Sequence, residues 1–170
     1  HGLKVFGTLI PDYFRIPICY NIASTFFVLE EYNNALLWLN NVLKKDSSAA
    51  QDIVSFAKIF HLIILYQAGK FELLEYHVNA LWKQIETNDS KEGLLGLLLN
   101  FFRLNFAYIS NKKWMQKAFE NLEKEIHKCR MEVSKLKQDK YFDMNAWIES
   151  NVGKRSFAEI VSTTFLASLS

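Results

Sequence analysis

The sequence predicts an all-α fold, an α-α superhelix of antiparallel helix pairs, about seven helices in a single domain. Three observations predict it. Apolar residues recur at three- and four-residue steps along nearly the whole chain, the period of one helix face. Both prolines, Pro11 and Pro17, lie in the first tenth, so from Ile18 onward nothing forbids long helices. No run alternates apolar and polar residues between turn signals, so no strand is expected. Half of the 170 residues are apolar and 15% aromatic, which supplies a core and argues against disorder.

The elements follow in order. Residues 1–11 carry an apolar patch, Leu3, Val5, Phe6, Leu9 and Ile10, expected to end a preceding helix, with Pro11-Asp12 as the break. The first helix runs from Asp12 to Leu29, with Ile18, Ile22, Phe26 and Leu29 on one face. Glu30-Glu31 links it to a second, Tyr32 to Lys45, with Ala35, Leu36, Leu39, Val42 and Leu43 inward. Asp46-Ser47-Ser48 closes that helix and caps the next. Residues 50–67 are apolar on every side (Ile53, Val54, Phe56, Ala57, Ile59, Phe60, Ile63, Ile64), the mark of a helix sandwiched between neighbours. Ala68-Gly69-Lys70 turns the chain, with Gly69 suited to the left-handed residue after a helix. A fourth helix spans Phe71 to Glu86 and a fifth Lys91 to Ile109, separated by Thr87-Asn88-Asp89-Ser90.

After Ser110-Asn111 the longest helix runs from Lys112 to Gln138. Met115, Phe119, Leu122, Ile126, Cys129, Val133 and Leu136 alternate by four and three, a heptad seam. The seam serves either a coiled-coil dimer through residues 112–138 or a helix lying along the earlier ones. The second is expected, because a cysteine sits in a seam of only three heptads. A seventh helix covers 140–151 and ends at Gly153, and residues 156–164 add a final turn.

Helix pairs joined by three or four residues read as repeat units at 16–46, 50–87 and 91–138. The first unit is Tyr20-Asn21-Ile22-Ala23, then Phe26-Phe27, then Glu31-Tyr32-Asn33-Asn34-Ala35, then Leu39 and Val42-Leu43. It resembles the tetratricopeptide repeat. In that pattern a small residue of the first helix, here Ala23, admits the second helix, an aromatic after the turn, Tyr32, plugs the gap, and Ala35 forms the closest crossing. Helices 8–10 Å apart need small side chains at the contact. In the second unit Ala68-Gly69-Lys70-Phe71 matches the turn and aromatic, while Leu62 and Leu74 replace the small residues. The third has Ser110-Asn111 as its turn and Ala118 as its small residue. Copies beginning near Ile16, Ser55 and Leu99 are about 39 and 44 residues apart, longer than the usual ~34, so the solenoid is expected to be irregular.

Most of the chain also resembles the C-terminal part of a tetratricopeptide-like family of Bacteroidetes. The likeness lies in that first unit, in 51–60 (QDIVSFAKIF), in 71–76 (FELLEY), in 141–150 (YFDMNAWIES) and in 155–159 (RSFAE). This resemblance implies a longer chain of which this is the C-terminal portion, as His1 in place of a methionine also allows. It implies a fold and an origin, with no established biochemical activity.

The chemistry of known sites is not encoded. The six glycines lack phosphate-loop spacing. Cys19 and Cys129 stand far apart with no zinc spacing, and are expected as free thiols in a reducing cytoplasm. His61 and His77 lie on neighbouring helices but show no metal-ligand spacing, Glu75 and His77 do not form an ExxH pair, and Cys129 with His127 is wrongly spaced for a dyad. No apolar run reaches the ~18 residues of a membrane span. Neither a metal, a cofactor nor catalysis is expected.

By position, the resemblance implies a concave groove lined by Tyr20, Ser24 and Phe27, then Ile59, Ile63, Tyr66 and Gln67, then Asn100 and Arg103. Tyr20, Tyr66 and Arg103 would be its polar handles, since Tyr and Arg anchor many interfaces. The lysines and asparagines of a carboxylate clamp are absent. The leading function is therefore a protein- or peptide-binding scaffold. The alternative is a regulatory or nucleic-acid-associated module, favoured only by Lys112–Lys140, where nine basic residues meet five acidic ones. The net charge of +2 lacks the one-sided field of a nucleic-acid binder, and none is expected as a partner.

Overall fold

A helix end leaves carbonyls without partners, and a left-handed residue just past the end lets two following N–H groups turn back to them. Among the described residues this device closes two helix ends. The computed structural model describes residues 11–44, 51–87, 93–132 and 141–168. Among them are eight α-helices: α1 Asp12–Val28, α2 Tyr32–Leu43, α3 Gln51–Gln67, α4 Phe71–Thr87, α5 Leu94–Asn105, α6 Lys112–Glu132, α7 Met144–Val152 and α8 Phe157–Ser168. A 3₁₀ turn, Phe106–Tyr108, follows α5, and no described residue is in a strand.

At the end of α1 the N–H of Glu31 donates to Phe26 O at 2.9 Å and that of Glu30 to Phe27 O at 3.0 Å, with Glu30 at φ 59°. At the end of α3 the N–H of Lys70 donates to Leu65 O and that of Gly69 to Tyr66 O, both at 3.0 Å, with Gly69 at φ 65°. The two turns share one hydrogen-bond pattern, a Schellman motif, at the 39-residue interval of the repeat. Glycine takes this conformation freely, whereas a side chain resists it by about 1–2 kcal/mol. Glu30→Gly is expected to stabilise the chain by about 0.5–1 kcal/mol, after the added flexibility of the unfolded state is deducted. A urea midpoint that stays put or falls would refute this.

The chain sorts into two units that divide between Lys70 and Phe71, where the sequence predicts a single domain. In the first, α2 packs on both α1 and α3, and α1 touches α3. Ala23 and Ala35 are both wholly buried, as a close α1–α2 crossing requires. The inward face of α1 is Ile16, Cys19, Tyr20, Ala23 and Phe27. This corrects the expected stripe, for Ile18 and Leu29 are exposed and Ile22 and Phe26 half-buried. Because α1 is apolar around its whole circumference, periodicity fits more than one face, and the small Ala23 decides between them. On α3 every residue from Ile59 to Leu65 is buried, matching its all-round apolar sequence.

In the second unit α4, α5, α6, α7 and α8 pack in sequence, each on the next. The seam of α6 faces its own chain. Met115, Phe119, Leu122 and Ile126 are buried, and the Phe119 ring lies 4.9 Å from Phe101 of α5 and 5.1 Å from Trp147 of α7. Cys129 is half-buried, and Val133 and Leu136 fall outside the described residues. The described part of the seam from Met115 to Ile126 thus packs within its own unit.

Several boundaries move. Asp143 caps α7 by accepting from the Ala146 N–H at 2.9 Å, so that helix starts at Met144 rather than at 140. Gly93, at φ 100°, precedes a shorter α5 than expected. The last segment is a full helix, Phe157–Ser168, rather than one turn. Ser156 and Glu159 form a capping box there. The Ser156 N–H donates to Glu159 Oε2 at 2.7 Å, and the Glu159 N–H donates to Ser156 Oγ at 3.3 Å. The Ser156 N–H, and then the Ser156 hydroxyl, which donates to the same oxygen at 3.0 Å, hold the Glu159 carboxyl below its ordinary range. The patch at 1–10 and the Ser47-Ser48 caps lie outside the described residues.

Candidate functional site

A partner is held by side chains that reach solvent on a fixed scaffold, with aromatic and arginine groups contributing most. By that criterion the expected groove divides sharply. Tyr20 and Phe27 belong to the core, at 3% and 2% exposure. The Tyr20 ring lies 5.6 Å from Phe60 and 6.4 Å from Phe56, and the Phe27 ring 5.3 Å from Phe60 and 5.6 Å from Tyr32. Ile59 and Ile63 are likewise buried. The α1 wall of the proposed groove is therefore an aromatic core. Phe56 and Phe60 of α3 cover this side of α1. Ser24 is half-buried and its hydroxyl donates to Tyr20 O at 3.1 Å, a bond within its own helix.

Tyr66 and Gln67 are half-buried at the end of α3. Burial pushes the Tyr66 phenol up to about 12 from an ordinary 10.0. A phenol whose pKa is raised on folding stabilises the fold below its unfolded pKa and loses that contribution as pH climbs through the folded one. Stability is expected to fall by roughly 2–3 kcal/mol between about pH 10 and 12. Tyr66→Phe should flatten that decline in denaturation measured across the interval, and an unchanged decline would exclude Tyr66 as its source.

In the second unit Asn100 is half-buried and Arg103 exposed, both on α5. Arg103 is braced: its guanidinium carbon lies 4.1 Å from the ring centroid of Trp82 on α4. The Trp82 Nε1 donates in turn to Glu86 Oε1 at 2.5 Å. The sequence reading identified Arg103 but missed Trp82, and no spacing rule connects a residue of α4 with one of α5.

No family model, curated protein or solved structure matches the chain.

A second surface cluster sits at the α5–α6 turn. The Trp114 Nε1 donates to Asn105 Oδ1 at 2.8 Å, and Asn105 Nδ2 donates to Phe101 O at 2.8 Å. Asn111 Oδ1 accepts from the Trp114 N–H at 3.1 Å, capping α6, and the Tyr108 ring lies 4.2 Å from that of Trp114. Beside them Asn105, Trp114, Lys117, Ala118 and Asn121 line a shallow pocket of about 210 Å³. Asn111, placed three residues before Trp114, was the cap signal from which sequence could have found this cluster.

In the first unit, Glu30, Glu31, Tyr32, Asn33, Asn34, Ala68 and Lys70 line a cleft of about 320 Å³. Burial, and then the charge of Glu30, raise the Tyr32 phenol above its ordinary range. Burial raises the Cys19 thiol and lowers His77, which half-buries its imidazole on α4. Among the described residues no three His, Cys, Asp or Glu side chains gather as a metal site, and no helix is long and apolar enough to cross a membrane.

Proposed function

We propose that this chain is a scaffold of tetratricopeptide-like helical repeats that binds a protein or peptide partner and performs no catalysis. The observation that carries the reading is the Arg103–Trp82 pair, an exposed guanidinium held in place over an indole. Such a pair offers charge, donors and apolar area together, with little side-chain freedom left to lose on binding. The repeated Schellman turns support the repeat assignment, and the resemblance of the sequence supports a bacterial origin. The free thiols of Cys19 and Cys129 suit a reducing cytoplasm.

Display selection of peptides on the full chain tests the reading. Selected peptides are expected to bind Arg103→Ala and Trp82→Ala about tenfold or more weakly than the native chain, the effect of losing an interface anchor. Undiminished binding to both variants, or selection that yields no binder, would overturn it. A nucleic-acid role gains less support, because a net charge of +2 lacks the one-sided basic field of such a binder.

A further inference from the structure

The outer face of α6 carries a pattern that the charge count alone hides. At 3.6 residues per turn, Lys113, Lys117, Lys124 and Lys128 fall within a sector of ~60°, and all four are exposed. The buried Met115, Phe119, Leu122 and Ile126 lie on the opposite side. Packing on α5 and α7 thus fixes the helix so that the lysines point to solvent along a line of ~22 Å. Glu120 and His127 border the line on one side. Trp114 and Asn121 border it on the other, followed by Glu125. The pocket of Asn105, Trp114, Lys117, Ala118 and Asn121 opens beside its first half.

From this we infer that the face is a docking surface for an acidic amphipathic helix of a partner protein, which sets carboxylates along the lysine line and one apolar side chain in the Ala118 pocket. The inference rests on the scaffold reading above and specifies the partner's chemistry. The lysine steps of four, seven and four residues are helical steps, which a second helix lying alongside can match with its own acids. The pocket carries an indole, an alanine methyl and two amides, a lining that accepts an apolar group. Duplex nucleic acid fits less well, since a single straight line of four lysines on one helix supplies no broad, one-sided basic field.

The test uses the full chain and a fluorescent helical peptide of roughly 20 residues, long enough to hold helix. It carries glutamates at the same steps and one leucine beside them. Binding is expected to weaken about tenfold when Lys117→Glu and Lys124→Glu are combined, and to weaken at higher salt. A probe with lysines in place of the glutamates should prefer that double variant to the native chain. Ala118→Leu should weaken the acidic probe severalfold by filling the pocket, with circular dichroism to confirm an intact fold. Equal binding of a probe with the same residues scrambled off the helical steps overturns the inference. So does tighter binding of duplex DNA, or no binding of the acidic probe at all. Arg103→Ala and Trp82→Ala leave the lysine line untouched, so the scaffold reading and this one fail separately.

Discussion

Trp147→Ala is expected to destabilise the second unit by about 3–5 kcal/mol, the range for deleting a large aromatic from a packed core. Trp147 is wholly buried on α7 and meets Phe119 of α6 edge to face at 5.1 Å, while Phe119 meets Phe101 of α5 at 4.9 Å. A chain of three rings, Phe101, Phe119 and Trp147, therefore links three consecutive helices. Neighbours bound on both sides cannot collapse into the void, which places the loss at the upper part of the range. Hydrogen exchange checks the prediction. Amides of α6 and α7 should lose protection together, and an unaltered pattern would mean that the helices pair without the indole. Trp147→Phe should recover much of the loss because it keeps a ring in the site.

Phe60→Ala carries an expected loss of similar size, about 3–5 kcal/mol, in the first unit. Phe60 has no exposed surface, and its ring stands 5.6 Å from Tyr20 and 5.3 Å from Phe27. It joins α3 to two positions of α1 that lie about two turns apart. Aromatic pairs add about 0.5–1.5 kcal/mol beyond the area they bury, so Phe60→Leu should still cost roughly 1 kcal/mol although it fills most of the space. Denaturation midpoints of the two variants check this. Equal losses for Ala and Leu would show that ring contacts matter and volume does not, and a negligible loss for Ala would remove Phe60 from the core.

The fold was legible where local chemistry alone decides structure. Gly69 announced a left-handed turn, the Ala23 and Ala35 positions announced a close crossing, and the near-uniform apolarity of α3 announced the burial of its Ile59 to Leu65 stretch, although Asp52, Ser55 and Lys58 are exposed. The capping box at Ser156 and Glu159 was equally local and was overlooked, which is why α8 was expected as one turn. The inward face of α1 was not legible. Apolar residues all round a helix satisfy several registers, and only contact with α2 and α3 chooses Tyr20 and Phe27 over Ile18 and Leu29.

The candidate site suffered from the same ambiguity. Tyr20, Phe27, Ile59 and Ile63 were assigned to a groove by repeat position and are core residues, whereas Arg103 proved exposed. Its partner Trp82 lies 21 positions away, beyond the reach of any periodicity within one helix. The lysine line of α6 was legible in the sequence, opposite the seam of Met115, Phe119, Leu122 and Ile126, and the structure adds that all four lysines are exposed.

The paired turns at Glu30 and Gly69 have one further consequence. Their closure is made by main-chain atoms, so it does not depend on which charge stands at the bend. One bend presents two carboxylates, Glu30 and Glu31, the other an ammonium, Lys70, and both border the same cleft. Opposite charges can therefore be exchanged between successive bends without disturbing how either helix end closes, which leaves this cleft open to retuning while the backbone of the bends stays fixed.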